Sequence, residues 1–163
     1  MAKKSDISFE ELISLMRAWC ATREVCRSEA RLKMKKWNIG DPDIEKAIKL
    51  LEEDRYIDEK RYANAFANDK LTLNKWGPNK VKQALLIKGI SEQYITEAIN
   101  EKKKETNQGN IVKELLEKKL KSFKNGLTNH EVYAKLMRFG LSRGFDYEIV
   151  SKYARELVHS IET

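Results

Sequence analysis

Two cysteines, two histidines and two prolines are all that the 163-residue chain contains of these residue types. Cys20 and Cys26 lack the CxxC spacing of a zinc or redox site and have no second pair, so they read as free thiols in a reducing cytosol. His130 and His159 are the only imidazoles, and a metal site is not expected. Seven glycines are few for a β-rich or loop-rich protein. No alternating run of Val, Ile or Thr is long enough for a strand, so the fold class is all-α. No apolar run approaches a membrane span, and Met1–Asp6 lacks the apolar core of a signal peptide. The expectation is a cytoplasmic protein with no membrane partner. There is no Gly-rich phosphate loop after a strand and no local motif around any Ser, His and Asp set, so neither an enzyme nor a cofactor is expected.

Charge is plentiful. Charged residues make up 35% of the chain and hydrophobic residues 41%, which implies thin cores under a densely charged surface. The net charge is +7. Residues 1–56 carry 12 basic and 11 acidic side chains, whereas 57–108 and 109–163 each carry 10 and 7. A basic excess favours acidic partners such as nucleic acid or a nucleoprotein, although a charged helical surface is also an ordinary solvated face.

The chain is organised around Arg55–Ser91. Asp58 can cap a helix, and Tyr62, Ala65, Phe66 and Ala67 then fall on one apolar face. Gly77-Pro78 ends that helix and opens the next, which turns Val81, Ala84 and Leu85 inward. Gly89 suits the left-handed residue past a helix end, and Ser91 caps a third helix carrying Tyr94 or Ile95, Ala98 and Ile99.

Before this module, residues 1–7 read as a polar tail. Ser8 and Glu11 fit a capping box for a helix burying Leu12, Leu15, Met16 and Trp19. A helix from about Ser28 buries Ala30 and Met34, and one from Asp41-Pro42 buries Ile44, Ala47, Ile48 and Leu51. After the module, Thr106–Asn110 is the best candidate linker. Val112, Leu115, Leu116 and Leu120 then line a helix. Thr128 and Glu131 form a second capping box before Val132, Leu136 and Phe139, with Gly140 expected to end that helix. A last helix runs from about Tyr147 to Ile161.

Aligned, the thirds repeat. Leu12, Tyr62 and Val112 are 50 apart; Met34, Leu85 and Leu136, and Ile39, Ile90 and Leu141, are 51 apart. Ser142–Tyr147 looks like a small insertion in the last copy. The predicted architecture is three tandem three-helix repeats, 8–54, 55–105 and 106–163, forming an elongated, curved array.

Lys75–Lys82 places Trp76 and a helix amino terminus beside three lysines, a pattern suited to phosphate or carboxylate. The ring of Trp76 also fits burial under the turn, leaving the lysines as contacts. Arg23, Arg27, Arg31, Lys35 and Lys36 form a second basic cluster, and Lys118, Lys119, Lys121 and Lys124 a third.

Arg55-Tyr56-Ile57-Asp58-Glu59, Arg61-Tyr62-Ala63, Asp69-Lys70, Lys75-Trp76-Gly77 and Leu85 followed by Lys88-Gly89-Ile90 resemble the RecX family, bacterial regulators of the RecA recombinase. In the first repeat Asn38 stands where the family usually carries Gly; Asn tolerates the left-handed conformation next best. The resemblance implies three tandem three-helix repeats and no catalytic activity. It implies binding to RecA and its filament on DNA, with inhibition of ATP hydrolysis, strand exchange and filament growth, and for some members binding to single- or double-stranded DNA. Carried onto this chain, the contact face would include Arg61, Tyr62, Lys70, Lys75, Trp76 and Lys80; in the repeat register Tyr62 also fits the core. A monomer is the expected state. The alternative is a helical DNA- or RNA-binding protein acting without RecA.

Overall fold

A computed structural model describes residues 6–162. The tail expected over 1–7 lies outside the described residues except for Asp6 and Ile7, and Ile7 packs against the first core. Among the described residues there are nine α-helices and no strand: α1 (Phe9–Ala21), α2 (Arg27–Lys36), α3 (Asp41–Glu53), α4 (Glu59–Asn68), α5 (Pro78–Ile87), α6 (Glu92–Glu105), α7 (Gln108–Lys121), α8 (Asn129–Ser142) and α9 (Tyr147–Glu162). A π-helical turn, Asp69–Leu73, continues α4. The nine helices form three tandem three-helix repeats.

Local chemistry sets the helix starts. Ser8 accepts from the Glu11 N–H at 3.2 Å while the Glu11 carboxylate takes the Ser8 N–H at 2.9 Å. Thr128 and Glu131 make the same reciprocal cap on α8. Asp58 accepts from the Arg61 N–H at 2.9 Å at the start of α4.

In the first core, Ala30, Met34, Ile44, Ala47, Ile48 and Leu51 are buried as their spacing predicts. Leu15, expected inward, is 46% exposed. Leu12, Met16 and Cys20 recur every fourth residue, so the buried stripe drifts toward Ile13 and away from Leu15. The thiols of Cys20 and Cys26 are both buried and unpaired. Burial pushes the Cys20 pKa up, and Arg23 pulls it part of the way back. In α4 the buried positions are Tyr62, Ala63 and Ala67, whereas Ala65 and Phe66 are half-buried. In α6 the inward residue is Ile95, fully buried, and Tyr94 is half-buried.

Two expectations about the last third are corrected. Only Thr106 and Asn107 of the predicted linker lie outside helices. Asn107 caps α7 by accepting from the Asn110 N–H at 3.1 Å, and the Thr106 hydroxyl donates to the Lys102 carbonyl at 2.9 Å. Gly140 does not end α8. It is buried inside the helix, where a Cβ would press on Val150.

The helix ends explain the insertion. In α2, α5 and α8 a left-handed residue follows the helix, and the next N–H reaches back five residues: Ile39 to Met34, Ile90 to Leu85, Phe145 to Gly140. The left-handed residues are Asn38 (φ 59°), Gly89 (φ 78°) and Gly144 (φ 91°). α2 and α5 have 10 residues and α8 has 14, so the extra residues form one further turn of α8. Phe145, 3% exposed, is therefore the equivalent of Ile39 and Ile90, and Leu141, at 42%, is not.

The chain divides into two compact units. One holds the described residues up to Phe66 together with Leu85–Thr96; the other holds Ala67–Ala84 together with the residues from Glu97 on. The middle repeat is shared between them.

Candidate interaction surface

Arg61 and Tyr62 belong to the first unit. The Arg61 Nε donates to both oxygens of Glu24 at 2.8 Å, and its Nη2 donates to the Arg55 carbonyl at 3.1 Å. Tyr62 is 6% exposed, and its hydroxyl donates to Glu29 at 2.8 Å. Lys88 donates to the same carboxylate oxygen at 2.8 Å and stands 5.9 Å from the Tyr62 ring centre. Burial, and next the Glu29 carboxylate, push the Tyr62 pKa well above its ordinary value. These bonds fasten α4 and the residue after α5 to α2 and the α1–α2 connection. Tyr62 is a core residue with a tethered polar tip.

Lys70, Lys75, Trp76 and Lys80 lie together in the second unit. Trp76 is half-buried, with the Lys70 and Lys80 ammonium groups 4.9 and 4.2 Å from its ring centre. Lys75 has a left-handed backbone (φ 52°) and stands 3.5 Å from Glu114. Arg143, which sequence reasoning missed, holds this turn: its guanidinium donates to the carbonyls of Asn74 and Lys75. No local pattern marks Arg143, because its partners are nearly 70 positions away.

The amino terminus of α5 is already occupied. The Gly77 N–H donates to the Arg143 carbonyl at 2.6 Å and the Asn79 N–H to the Gly144 carbonyl at 3.0 Å. The Asn79 side-chain amide donates to Asp146 at 2.8 Å. The phosphate site suggested there by the lysines is thus filled from within, and the lysines remain as surface charge.

The second basic cluster is largely neutralised. Arg27 pairs with Glu52, Arg31 with Glu45 and Lys35 with Asp41. Among the described residues no group of three or more His, Cys, Asp or Glu is placed to hold a metal ion, and no helix is long and apolar enough to cross a membrane.

Fold and surface define a class: an all-helical protein of tandem three-helix repeats that presents clustered lysine and aromatic surface. Family models assign residues 58–99 to the RecX second three-helix domain and 110–153 to the RecX third three-helix domain; together they span just over half the chain. Regulatory protein RecX of Clostridium botulinum (strain Eklund 17B / Type B) is 34% identical over 132 residues, 80% of this chain and 61% of that protein. Regulatory protein RecX of Lactococcus lactis subsp. cremoris (strain MG1363) is 31% identical over 125 residues, 76% of this chain and 46% of that protein. The chain thus spans about half to three fifths of the length of these curated relatives. The crystal structure of RecX from Lactobacillus salivarius has the same fold, with a TM-score of 0.75 at 21% identity over 91% of this chain and 96% of that one. The chain belongs to the RecX family.

Proposed function

We propose that this chain is a regulatory protein that binds the RecA recombinase and its nucleoprotein filament. There it modulates, mostly by inhibition, ATP hydrolysis, strand exchange and filament growth in homologous recombination and DNA repair. The observation that carries this reading is family membership, resting on the two RecX domain matches at 58–99 and 110–153. In this reading the protein is a cytoplasmic monomer, needs no cofactor and catalyses no reaction of its own.

The contact face is centred on Lys70, Lys75, Trp76 and Lys80. A half-buried indole between lysines offers apolar area with a cationic rim, which suits an acidic protein surface. Arg61 and Tyr62 enter as supporting residues. The Arg61 side chain is 43% exposed but committed to Glu24, and Tyr62 is buried.

RecA's DNA-dependent ATP hydrolysis, with this protein titrated in, tests the reading. Inhibition well below one protein per RecA is expected. No inhibition, together with salt-sensitive binding to bare DNA, would transfer the reading to direct nucleic-acid binding.

A further inference from the structure

Arg55 has a left-handed backbone (φ 59°) just past α3, a conformation in which a Cβ is strained. Its guanidinium has no hydrogen-bond or ion-pair partner among the described residues. It lines an open recess of about 470 Å³ in the first unit, together with Cys20, Arg23, Glu24, Tyr56 and Arg61. Arg23 is held only lightly: its Nε lies 3.5 Å from the Thr22 hydroxyl, and its guanidinium stands 5.3 Å from the Trp19 ring centre. Glu24 is the one carboxylate among the lining residues, and both of its oxygens are taken by the Arg61 Nε. Arg55 also borders a neighbouring recess with three carboxylates, and each of these is committed elsewhere. Glu52 accepts from the Arg27 guanidinium, Glu59 from the Arg27 N–H and Asp58 from the Arg61 N–H. Three guanidinium groups therefore share one carboxylate, and two of them have no anion.

We propose that this recess binds a compact chain of linked phosphates, either free pyrophosphate or the polyphosphate of a nucleoside di- or triphosphate. The planar forks of Arg55 and Arg23 each match two oxygens of a phosphate, and the strained turn at Arg55 keeps a guanidinium at the wall where glycine would be easier to hold. A single carboxylate would satisfy one fork and leave the other. A nucleic-acid strand needs cations continued along the surface, and here the flanking ones are neutralised, Arg17 by Asp54 and Arg27 by Glu52. Nor is an aromatic face left for a base: Arg17 stands 5.8 Å from the Tyr56 ring centre, and Lys33 joins Arg23 against Trp19 at 5.4 Å. The volume lies in the range of about 300–1,000 Å³ typical of small-ligand sites. The site stands apart from the Trp76 face and does not rest on the filament reading, so either can fail alone.

Isothermal titration calorimetry of the full chain with sodium pyrophosphate, at low salt and without divalent cations, tests the proposal. One pyrophosphate per chain is expected. R55G should keep or raise the urea midpoint, because glycine has no Cβ penalty at φ 59°, yet it should lose more than about tenfold in affinity with its charge-assisted bonds. R55N, which also tolerates the left-handed turn, should lose as much, and R23Q should weaken binding with the fold intact. K118E/K119E, in the other unit, should bind as the wild type does. A parallel titration with ATP separates the sources: equal affinity means that the phosphate chain alone is read, and tighter binding means that a nucleotide is. The proposal is overturned if the wild type gives no binding up to about 10 mM pyrophosphate. It is also overturned if R55G binds like the wild type, if K118E/K119E loses as much as R55G, or if a thymidine oligonucleotide displaces pyrophosphate at equal phosphate concentration.

Discussion

The Arg61 Nε sits 2.8 Å from each carboxylate oxygen of Glu24, and the same guanidinium reaches the Arg55 carbonyl at 3.1 Å. One side chain thereby ties the first turn of α4 to the α1–α2 connection and to the left-handed turn at Arg55 (φ 59°). R61A should lower stability by about 1 kcal/mol, the usual worth of a partly exposed charged contact with a carbonyl bond added. R61K should rescue little, because a single ammonium cannot match the planar fork. Urea unfolding of R61A, E24A and the double variant measures the coupling. A value near zero would mean that the pair is ornamental.

Tyr62 links stability to alkaline pH. Burial and Glu29 raise its pKa above the ordinary 10.0, so the folded state holds the proton that the unfolded chain releases. The contribution is present below about pH 10 and declines above it, by up to about 1.4 kcal/mol per pH unit. Y62F should cost about 1 kcal/mol at neutral pH by removing the bond to Glu29. The gap between wild type and Y62F should narrow as pH rises past 10. A gap constant to pH 11 would show that the hydroxyl is not held as described.

Two glycines with similar backbones should respond differently to alanine. Gly126 (φ 95°) faces open space, so G126A should cost about 1 kcal/mol of backbone strain. Gly144 (φ 91°) lies against the Lys80 backbone, and a Cβ there would overlap it. G144A should cost several kcal/mol, because neither backbone can yield without breaking the Asn79 to Gly144 bond. Equal losses in thermal unfolding would contradict the close packing of these two segments.

Asn38 occupies the left-handed position that Gly89 and Gly144 fill in the other repeats. N38G should raise stability by about 0.5–1 kcal/mol, by relieving the Cβ penalty at φ 59°. A drop in melting temperature would mean that the Asn side chain contributes a bond that outweighs the strain.

Much of the helical layout was legible because it is local. Ser8–Glu11, Thr128–Glu131 and Asp58 cap where their spacing says they should, and the α3 stripe is buried residue for residue. Leu15 and Gly140 depart from their expected places for physical reasons: a stripe with steps of four drifts around its helix, and one added turn of α8 moves the terminating glycine from 140 to 144. At the candidate site the sequence placed lysines beside Trp76. It did not reveal that Gly144 and Arg143 occupy the α5 amino terminus, since those contacts join residues more than 60 positions apart. Nor did it show that acidic side chains offset much of the second basic cluster.

The most direct test of the central claim is the RecA ATP-hydrolysis titration run side by side with the wild type and K70E/K75E/K80E. The wild type should inhibit at well below one protein per RecA. The charge-reversed variant, with an unchanged urea midpoint, should need at least about tenfold more protein, as expected when several rim lysines are turned against an acidic partner. Equal inhibition by the two would remove the Lys70–Lys80 face from the account, and no inhibition by the wild type would remove the filament reading itself.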